Sequence, residues 1–389
     1  MTPGARVAAA IEILDAVAAG QAGEVALSRW ARASRYAGSK DRAAVRDLVI
    51  DVLRQWRSDA ARGGGETGRA RMIGRLRGQG IDPATLFDGV GHAPPPLDDD
   101  ERTAGCDPMD EGTSWDLPDW LVPEFKTSLG DEAAKTAQAL TARAPVTVRV
   151  NTALTDVETA QKQQSDAGIA TTANPRAASA LTVTEGARRV RNAAVYQDGL
   201  VEIQDAASQA AVLGIDGQGT ALDFCAGGGG KALALAARGW QVTAHDIDAK
   251  RMRDLPARAS RGGHHIALCA PDDIARAGRF DLVFCDAPCS GSGTWRRTPE
   301  AKWALTPDRL ATLCQTQQDV LENAVPHVAP GGRLIYATCS VLRDENEAQI
   351  DAFLDRHHDW RCAASERWGV DEWGDGFYVA HLVSGRHTT

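Results

Sequence analysis

From residue 220 onward, apolar runs of five to seven residues alternate with helix-length stretches, and several of the runs end in aspartate just before a turn. This alternation constrains the fold more than any other feature. Continuously apolar strands separated by helices pack as a mainly parallel sheet with both faces covered. Thr220-Ala-Leu-Asp-Phe224 reads as the first strand, followed by the glycines 227–230 and a helix through Arg238. Gln241-Val-Thr-Ala-His245 reads as the second strand, closed by Asp246. Arg279-Phe-Asp-Leu-Val-Phe-Cys285 is a later one, closed by Asp286. Thr306 caps a helix that opens with Pro307 and runs toward His327. Pro330-Gly331-Gly332 then turns the chain into a further buried strand, Arg333-Leu-Ile-Tyr-Ala-Thr338.

The preceding residues follow other periods. Over 5–18 and 41–56 apolar residues recur at helical spacing, with Val45, Leu48, Val49, Val52, Leu53 and Trp56 on one stripe. A glycine break at 63–65 precedes a short Arg-rich helix around 72–76. Residues 89–119, with Pro94–Pro96 and an acidic run, read as a solvated linker. Val146-Thr-Val-Arg-Val150 alternates like a strand, 156–167 suits a helix, and 181–184 and 199–203 suit two more strands. The expected organisation is a helical domain with its acidic linker over 1–140, a small α/β domain over 141–210 and the doubly wound α/β domain over 211–389.

With 43% hydrophobic and 24% charged residues the chain falls in the globular range, which excludes a disordered, collagen-like or membrane-embedded protein. No apolar run approaches the roughly 18 residues needed to span a bilayer. Glu12 and Asp15 interrupt the early apolar stretch, against a signal or transit peptide, so a cytoplasmic monomer is expected. The formal net charge is −9, but 1–78 holds 14 Lys/Arg against 8 Asp/Glu, and 98–119 holds one Arg against 9 Asp/Glu. That asymmetry suits a nucleic-acid arm and an acidic spacer, or a charged helical surface and nothing more. The eight cysteines, at 106, 225, 269, 285, 289, 314, 339 and 362, include no Cys-x-x-Cys pair and hence no zinc signature. Most are expected to be small buried hydrophobes, Cys269, Cys285 and Cys314 among them.

A strand, a glycine loop and a helix in series present free backbone N–H groups, and a carboxylate ending the next strand, Asp246, suits a ribose diol. NAD and S-adenosylmethionine both fit such a frame. The dinucleotide fingerprint G-x-G-x-x-G fails, because Gly227 and Gly229 are followed by Ala232, and Gly228 and Gly230 by Leu233.

Two cysteines stand in turns just beyond strand ends, in Asp286-Ala-Pro-Cys289-Ser-Gly-Ser-Gly293 and in Tyr336-Ala-Thr-Cys339-Ser340. If these strands are neighbours, their ends are ~5 Å apart and both thiols face one pocket. A thiolate, a carboxylate and a methyl donor together suit one reaction. Carbon 5 of a pyrimidine becomes nucleophilic when a thiolate adds to carbon 6, and Asp286 near ring nitrogen 3 would stabilise the charge that develops there. The second thiol would assist release; which cysteine attacks is open on chemistry alone.

These motifs resemble the RNA (cytosine-5) methyltransferases of the Sun/Fmu (RsmB, Nop2/Sun) family. Asp286 through Gly293 looks like the family's motif IV, and Ala337-Thr-Cys339-Ser340 with Glu345-Asn346-Glu347 like its motif VI and following acidic tail. Gln204-Asp205 with Ser208-Gln209, Arg296-Arg297 with Pro299, Lys302 and Trp303, and Asp375-Gly-Phe-Tyr378 resemble further family segments. Residues 41–54 resemble the NusB-like RNA-binding domain of the bacterial ribosomal RNA enzymes. The resemblance implies a class I, Rossmann-like methyltransferase domain, preceded by a small RRM-like α/β domain and an all-helical NusB-like domain. It implies Cys339 as the nucleophile and Cys289 as the residue promoting release. It further implies that Cys225, Ala226, Gly227, Gly228, Gly229, Gly230, Lys231, Asp246 and Asp286 contact S-adenosylmethionine. The family's loop usually reads Ala-Pro-Gly-Gly-Lys; the glycine in place of proline makes a more flexible loop the expectation. The place of a further, adenine-side aspartate falls to Ala270 or Asp272.

The expected activity is therefore methylation of a cytosine in RNA, ribosomal RNA in particular, at an unstacked or loop position. Arg176, Arg188, Arg189, Arg191, Arg296, Arg297 and Lys302 are candidate phosphate contacts. The alternatives are an NAD-dependent oxidoreductase, which has no need of two turn cysteines, and a non-catalytic RNA-binding assembly factor, which would gain nothing from them.

Overall fold

The computed structural model describes residues 1–385, and statements of number or absence refer to these. Residues 386–389, the end of the segment read as 211–389, lie outside the described residues. The chain divides into two units, each packed mainly on itself. One is Met1–Arg143 with Trp295–Leu305, the other Ala144–Thr294 with the chain from Thr306 onward.

The first unit is helical. Pro3–Ala18, Gly23–Ala33, Ser39–Arg54, Trp56–Gly63 and Gly68–Gly78 are its main helices. Val45, Val49, Val52 and Leu53 are buried as the stripe predicts, while Trp56 begins a new helix because Gln55 leaves helical geometry. Gly63 is a packing residue as much as a break. A Cβ there would land on the Ala70 carbonyl, and one on Gly74 would land on that of Asp59, so the two helices cross backbone to backbone. The acidic stretch is largely exposed but is anchored rather than freely solvated. Leu97 and Leu117 are buried, and buried Asp116 accepts from the N–H groups of Arg57 and Ser58 and from the Ser58 hydroxyl.

Asp59 is fully buried, and neither carboxylate oxygen has a hydrogen-bond partner among the described residues. Burial pushes its pKa up to about 8. A carboxyl raised above its unfolded value of ~3.9 costs nothing below that pH, and an increasing amount as pH climbs toward 8. Asp59→Asn is therefore expected to raise the melting temperature more at pH 8 than at pH 5. Scanning calorimetry at the two pH values checks this, and an equal or opposite effect refutes it.

In the second unit, β1 (Val146–Val150), β2 (Ala170–Ala173), β3 (Ala180–Glu185) and β4 (Val201–Ile203) form an antiparallel sheet in the order β2-β3-β1-β4. β2 has no counterpart among the strands expected from sequence, because this Ala-Thr-Thr-Ala edge strand is mostly exposed and carries no apolar signal. The larger sheet comprises β5 (Thr220–Asp223), β6 (Gln241–His245), β7 (Ala267–Cys269), β8 (Phe280–Asp286), β9 (Val328–Thr338), β10 (Trp360–Trp368) and β11 (Phe377–Ser384). Its order is β10-β11-β9-β8-β5-β6-β7, parallel except where β11 pairs with β9 and β10. The strand order reverses between β5 and β8, and a ligand crevice is expected beyond the carboxyl ends of strands at such a switch point.

One turn is corrected. Pro330-Gly331-Gly332 lies within β9, which pairs with β8 on both sides of it, at Phe280↔Val328 and Leu282↔Arg333. The extra residues form a bulge, where a strand tolerates proline. The consequence for function is that β8 and β9 are parallel neighbours, with Asp286 opposite Ala337.

Candidate active site

The loop after β5 enters the helix Gly230–Ala237, whose N-cap, Gly229, has φ +83°. A Cβ on Gly229 would collide with the Leu255 side chain, so glycine is required by backbone and space together. The loop is tied from several sides. Gly229 N–H donates to the Ala226 carbonyl (2.8 Å), and Gly227 N–H to Asp246 Oδ2 (2.8 Å). Gln204 Nε2 donates to the Gly230 carbonyl (3.2 Å), and Arg258 to that of Gly228. The flexibility expected from the missing proline is thus countered by side chains that hold the loop carbonyls.

Asp246 is 1% exposed and serves the loop itself. Besides Gly227 N–H it accepts the Asp248 N–H (3.0 Å) and pairs with Arg251 (3.1 Å). Three of roughly four acceptor positions are filled. Asp223, at the end of β5, belongs to the site although no sequence motif singles it out. It is fully buried, and burial, with Asp286 adding and Lys231 and the Ala232 N–H opposing, raises its pKa to about 7. Beside it Lys231 pairs with Asp286 at 2.7 Å and lies 4.8 Å from the Phe377 ring centre. Burial works against the Lys231 charge, but Asp286, Cys339 and Asp223 more than offset it, so its pKa is raised. Three carboxyl groups, of Asp223, Asp246 and Asp286, and three cations, Lys231, Arg251 and Arg258, thus surround one glycine loop. Ala270 follows directly on β7, whose Cys269 pairs with His245, so Ala270 stands opposite Asp246 at the strand ends. Asp272 lies in the exposed turn beyond.

Cys289 and Cys339 are brought together from the ends of β8 and β9, with their sulfurs 3.4 Å apart. Both are free and partly accessible. Their environments differ. The hydrogen bond from Cys289 holds the Cys339 thiol below its ordinary value, with Lys231 and Thr294 assisting against burial and Asp286. Cys289 is pushed well above the ordinary value by giving that bond, by burial, and by the charges of Cys339 and Glu345. The arrangement favours a thiolate at 339 beside a thiol at 289. Cys269 and Cys285 are buried as expected, whereas Cys106 is exposed and Cys225, Cys314 and Cys362 are only partly buried.

The acidic tail contains a second residue whose role the sequence does not announce. Glu345 is fully buried and accepts from Ser290 N–H (2.7 Å), the Ser290 hydroxyl, the Ser340 hydroxyl (2.5 Å) and Gln317 Nε2 (3.1 Å). Ser290 and Ser340 each follow a turn cysteine. One carboxylate therefore ties both turns, and Ser292 Oγ and Ser340 Oγ (2.8 Å) add a direct link.

The candidate phosphate contacts divide. Arg188, Arg189 and Arg191 are exposed, as is Arg297. Arg176 is not free for RNA: it pairs with Asp371 (2.8 Å) and donates to the carbonyls of Asp375 and Gly369. Arg296 and Lys302 are 2% and 1% exposed. Their segment packs within the helical unit, where Trp295 stacks on Phe125 (6.0 Å), Trp303 Nε1 donates to the Leu53 carbonyl (2.8 Å) and Lys302 Nζ to that of Arg54 (3.2 Å). Burial of Trp295 and partial burial of Trp303 outweigh exposure of their basic neighbours.

Residues 210–383 match the family model described as 16S rRNA methyltransferase RsmB/F, and 117–190 match the ferredoxin-like domain of RsmF/B-like methyltransferases. Ribosomal RNA small subunit methyltransferase B of Vibrio cholerae is 34% identical over 281 residues, 68% of this chain and 64% of its own length. The probable counterpart in Bacillus subtilis is 32% identical over 255 residues, 62% of this chain and 57% of its own. The chain thus spans less than two thirds of these relatives. The crystal structure of PH0851 superposes with a TM-score of 0.76 at 22% identity, covering 99% of both chains. That of a methyltransferase homolog protein from Pyrococcus horikoshii gives 0.62 at 25% identity, covering 71% of this chain and 98% of its own. Among the described residues no helix is long and apolar enough to cross a membrane. On the two matching models and these relatives, the chain belongs to the RsmB/F methyltransferase family.

Proposed function

We propose that this protein methylates carbon 5 of a cytosine in RNA, ribosomal RNA being the expected substrate, through a covalent bond between Cys339 and the base. The observation that carries the reading is the pair of sulfurs 3.4 Å apart beside the Lys231–Asp286 ion pair, at the switch point of the sheet. S-adenosylmethionine, which residues 225–231 with Asp246 and Asp286 would hold, supplies an electrophilic methyl group when bound; the carboxyl groups of Asp223 and Asp286 suit its ammonium and sulfonium charges.

The chain's own residues do the rest. The Cys339 thiolate adds to carbon 6, and the displaced electron pair moves to ring nitrogen 3. Lys231, which donates to Asp286 Oδ2 at 2.7 Å, supplies that nitrogen with a proton through the carboxylate, and the neutral amine recovers the proton when the electron pair returns to carbon 5. Carbon 5, now enamine-like, would bond to the methyl carbon as that carbon's bond to the sulfonium sulfur breaks. Solvent then takes the carbon 5 proton as the carbon 6–sulfur bond breaks and Cys339 leaves as thiolate, and Cys289 stabilises the departing sulfur by donating its S–H hydrogen bond. The exposed arginines 188, 189, 191 and 297 remain the proposed phosphate contacts. The three-part division 1–140, 141–210 and 211–389 is retained as the functional organisation, with 295–305 assigned to the helical part.

Incubating the protein with ribosomal RNA and radiolabelled S-adenosylmethionine, followed by nucleoside analysis, is expected to yield labelled 5-methylcytidine. Label confined to uridine or to a ring nitrogen would refute the reading.

A further inference from the structure

We infer that Arg258 is a positioning residue for the glycine loop, held in place by Glu202 of the small sheet. This rests on the reading of the loop as the cofactor's seat. The Gly228–Gly229 peptide joins two residues without Cβ, so nothing intrinsic prevents its plane from flipping. Its N–H is bound by the Ala226 carbonyl at 2.8 Å, and its carbonyl is bound by Arg258. With both ends held, the N–H groups at the start of the following helix keep one direction, toward the space beyond β5.

Arg258 is itself fixed. It leaves the helix Leu255–Arg261 and pairs with Glu202 at 3.1 Å. Glu202 lies on β4 with its side chain 8% exposed, and also pairs with Arg261. A second arm runs parallel to the first: Arg149 Nε donates to Gln204 Oε1 (2.8 Å), and Gln204 Nε2 to the Gly230 carbonyl. The edge of the small sheet thereby grips two carbonyls of the loop. A charge-assisted bond of this kind, once lost, would weaken ligand binding about tenfold.

The test compares wild type, Arg258→Ala and Arg261→Ala. Arg261 also pairs with Glu202 but does not bind the Gly228 carbonyl, so its removal controls for loss of an arginine partner of Glu202 without loss of the loop contact. Calorimetric titration with S-adenosylhomocysteine is expected to show about tenfold weaker binding for Arg258→Ala, unchanged RNA affinity, and little change for Arg261→Ala. Hydrogen exchange without ligand is expected to be faster at the Gly229 amide in Arg258→Ala only. Equal exchange and affinity in Arg258→Ala and wild type, or the same loss in Arg261→Ala, would overturn the inference. A wild type that fails to bind S-adenosylhomocysteine would instead sink the parent reading, while the exchange measurement still judges Arg258.

Discussion

Replacing Cys289 by alanine is expected to yield a protein that accumulates a covalent RNA adduct, visible as a shifted band on denaturing gels, while Cys339→Ala forms no adduct and transfers no methyl group above background. The asymmetry follows from the surroundings of the two sulfurs. Lys231 and Thr294 assist the Cys339 thiolate, whereas Glu345 adds negative charge against ionisation of Cys289. The same asymmetry makes a pH prediction. A thiol with a lowered pKa is ionised above that pKa, so alkylation of Cys339 by iodoacetamide should rise with pH through a midpoint below the free-thiol value of ~8.5. In Cys289→Ala the donated bond is lost, and the midpoint should move upward. Mass spectrometry of the modified peptides reads both. An adduct in Cys339→Ala, or a midpoint that falls in Cys289→Ala, would reverse the roles.

The parallel core was legible in the sequence because strands buried on both faces must be continuously apolar, as Leu282-Val-Phe-Cys285 and Leu334-Ile-Tyr-Ala337 are. The meeting of the two cysteines was legible for the same reason, since a helical crossover between two such strands makes them neighbours. Other features were decided by contacts that no local pattern encodes. β2 lacks an apolar face, and the bulge in β9 shows only in its pairing with β8. The segment 295–305 reads locally as a basic loop, yet Trp295 and Trp303 find partners some 170 and 250 residues away, at Phe125 and Leu53. Arg258 is 56 residues from Glu202, and neither position carries a motif. A buried cation and a surface cation look alike in one sequence; the aromatic residues beside Lys302 were the only warning.

Glu345→Ala is expected to lower turnover roughly 100-fold although the hydrogen bonds of Glu345 go to the neighbours of the two sulfurs, because displacement of a catalytic group by about 1 Å has that effect. The carboxylate joins the two turns, and its removal leaves the Ser290 N–H and the Gln317 amide without the acceptor that they share, and two hydroxyls to reorient. A buried donor left unsatisfied costs about 1–3 kcal/mol, so the alanine protein should also be measurably less stable. Glu345→Gln separates misplacement from unfolding. It keeps the volume and removes the charge, and its NH2 group faces donors where an acceptor stood. Folding should survive, turnover should still fall, and Cys289 should titrate at lower pH, because the Glu345 charge is one of the causes that raise it. Diamide oxidation provides a ruler for the turns: two thiols lose two protons and two electrons to the diazene and form one disulfide, at a rate that depends on the sulfurs lying 3.4 Å apart. Slower oxidation in Glu345→Gln, read at equal thiolate fraction, means that the turns have separated. Wild-type oxidation rates, an unmoved Cys289 titration and full turnover in that variant would show that the Ser292–Ser340 hydroxyl link and the β8–β9 pairing hold the sulfurs without Glu345.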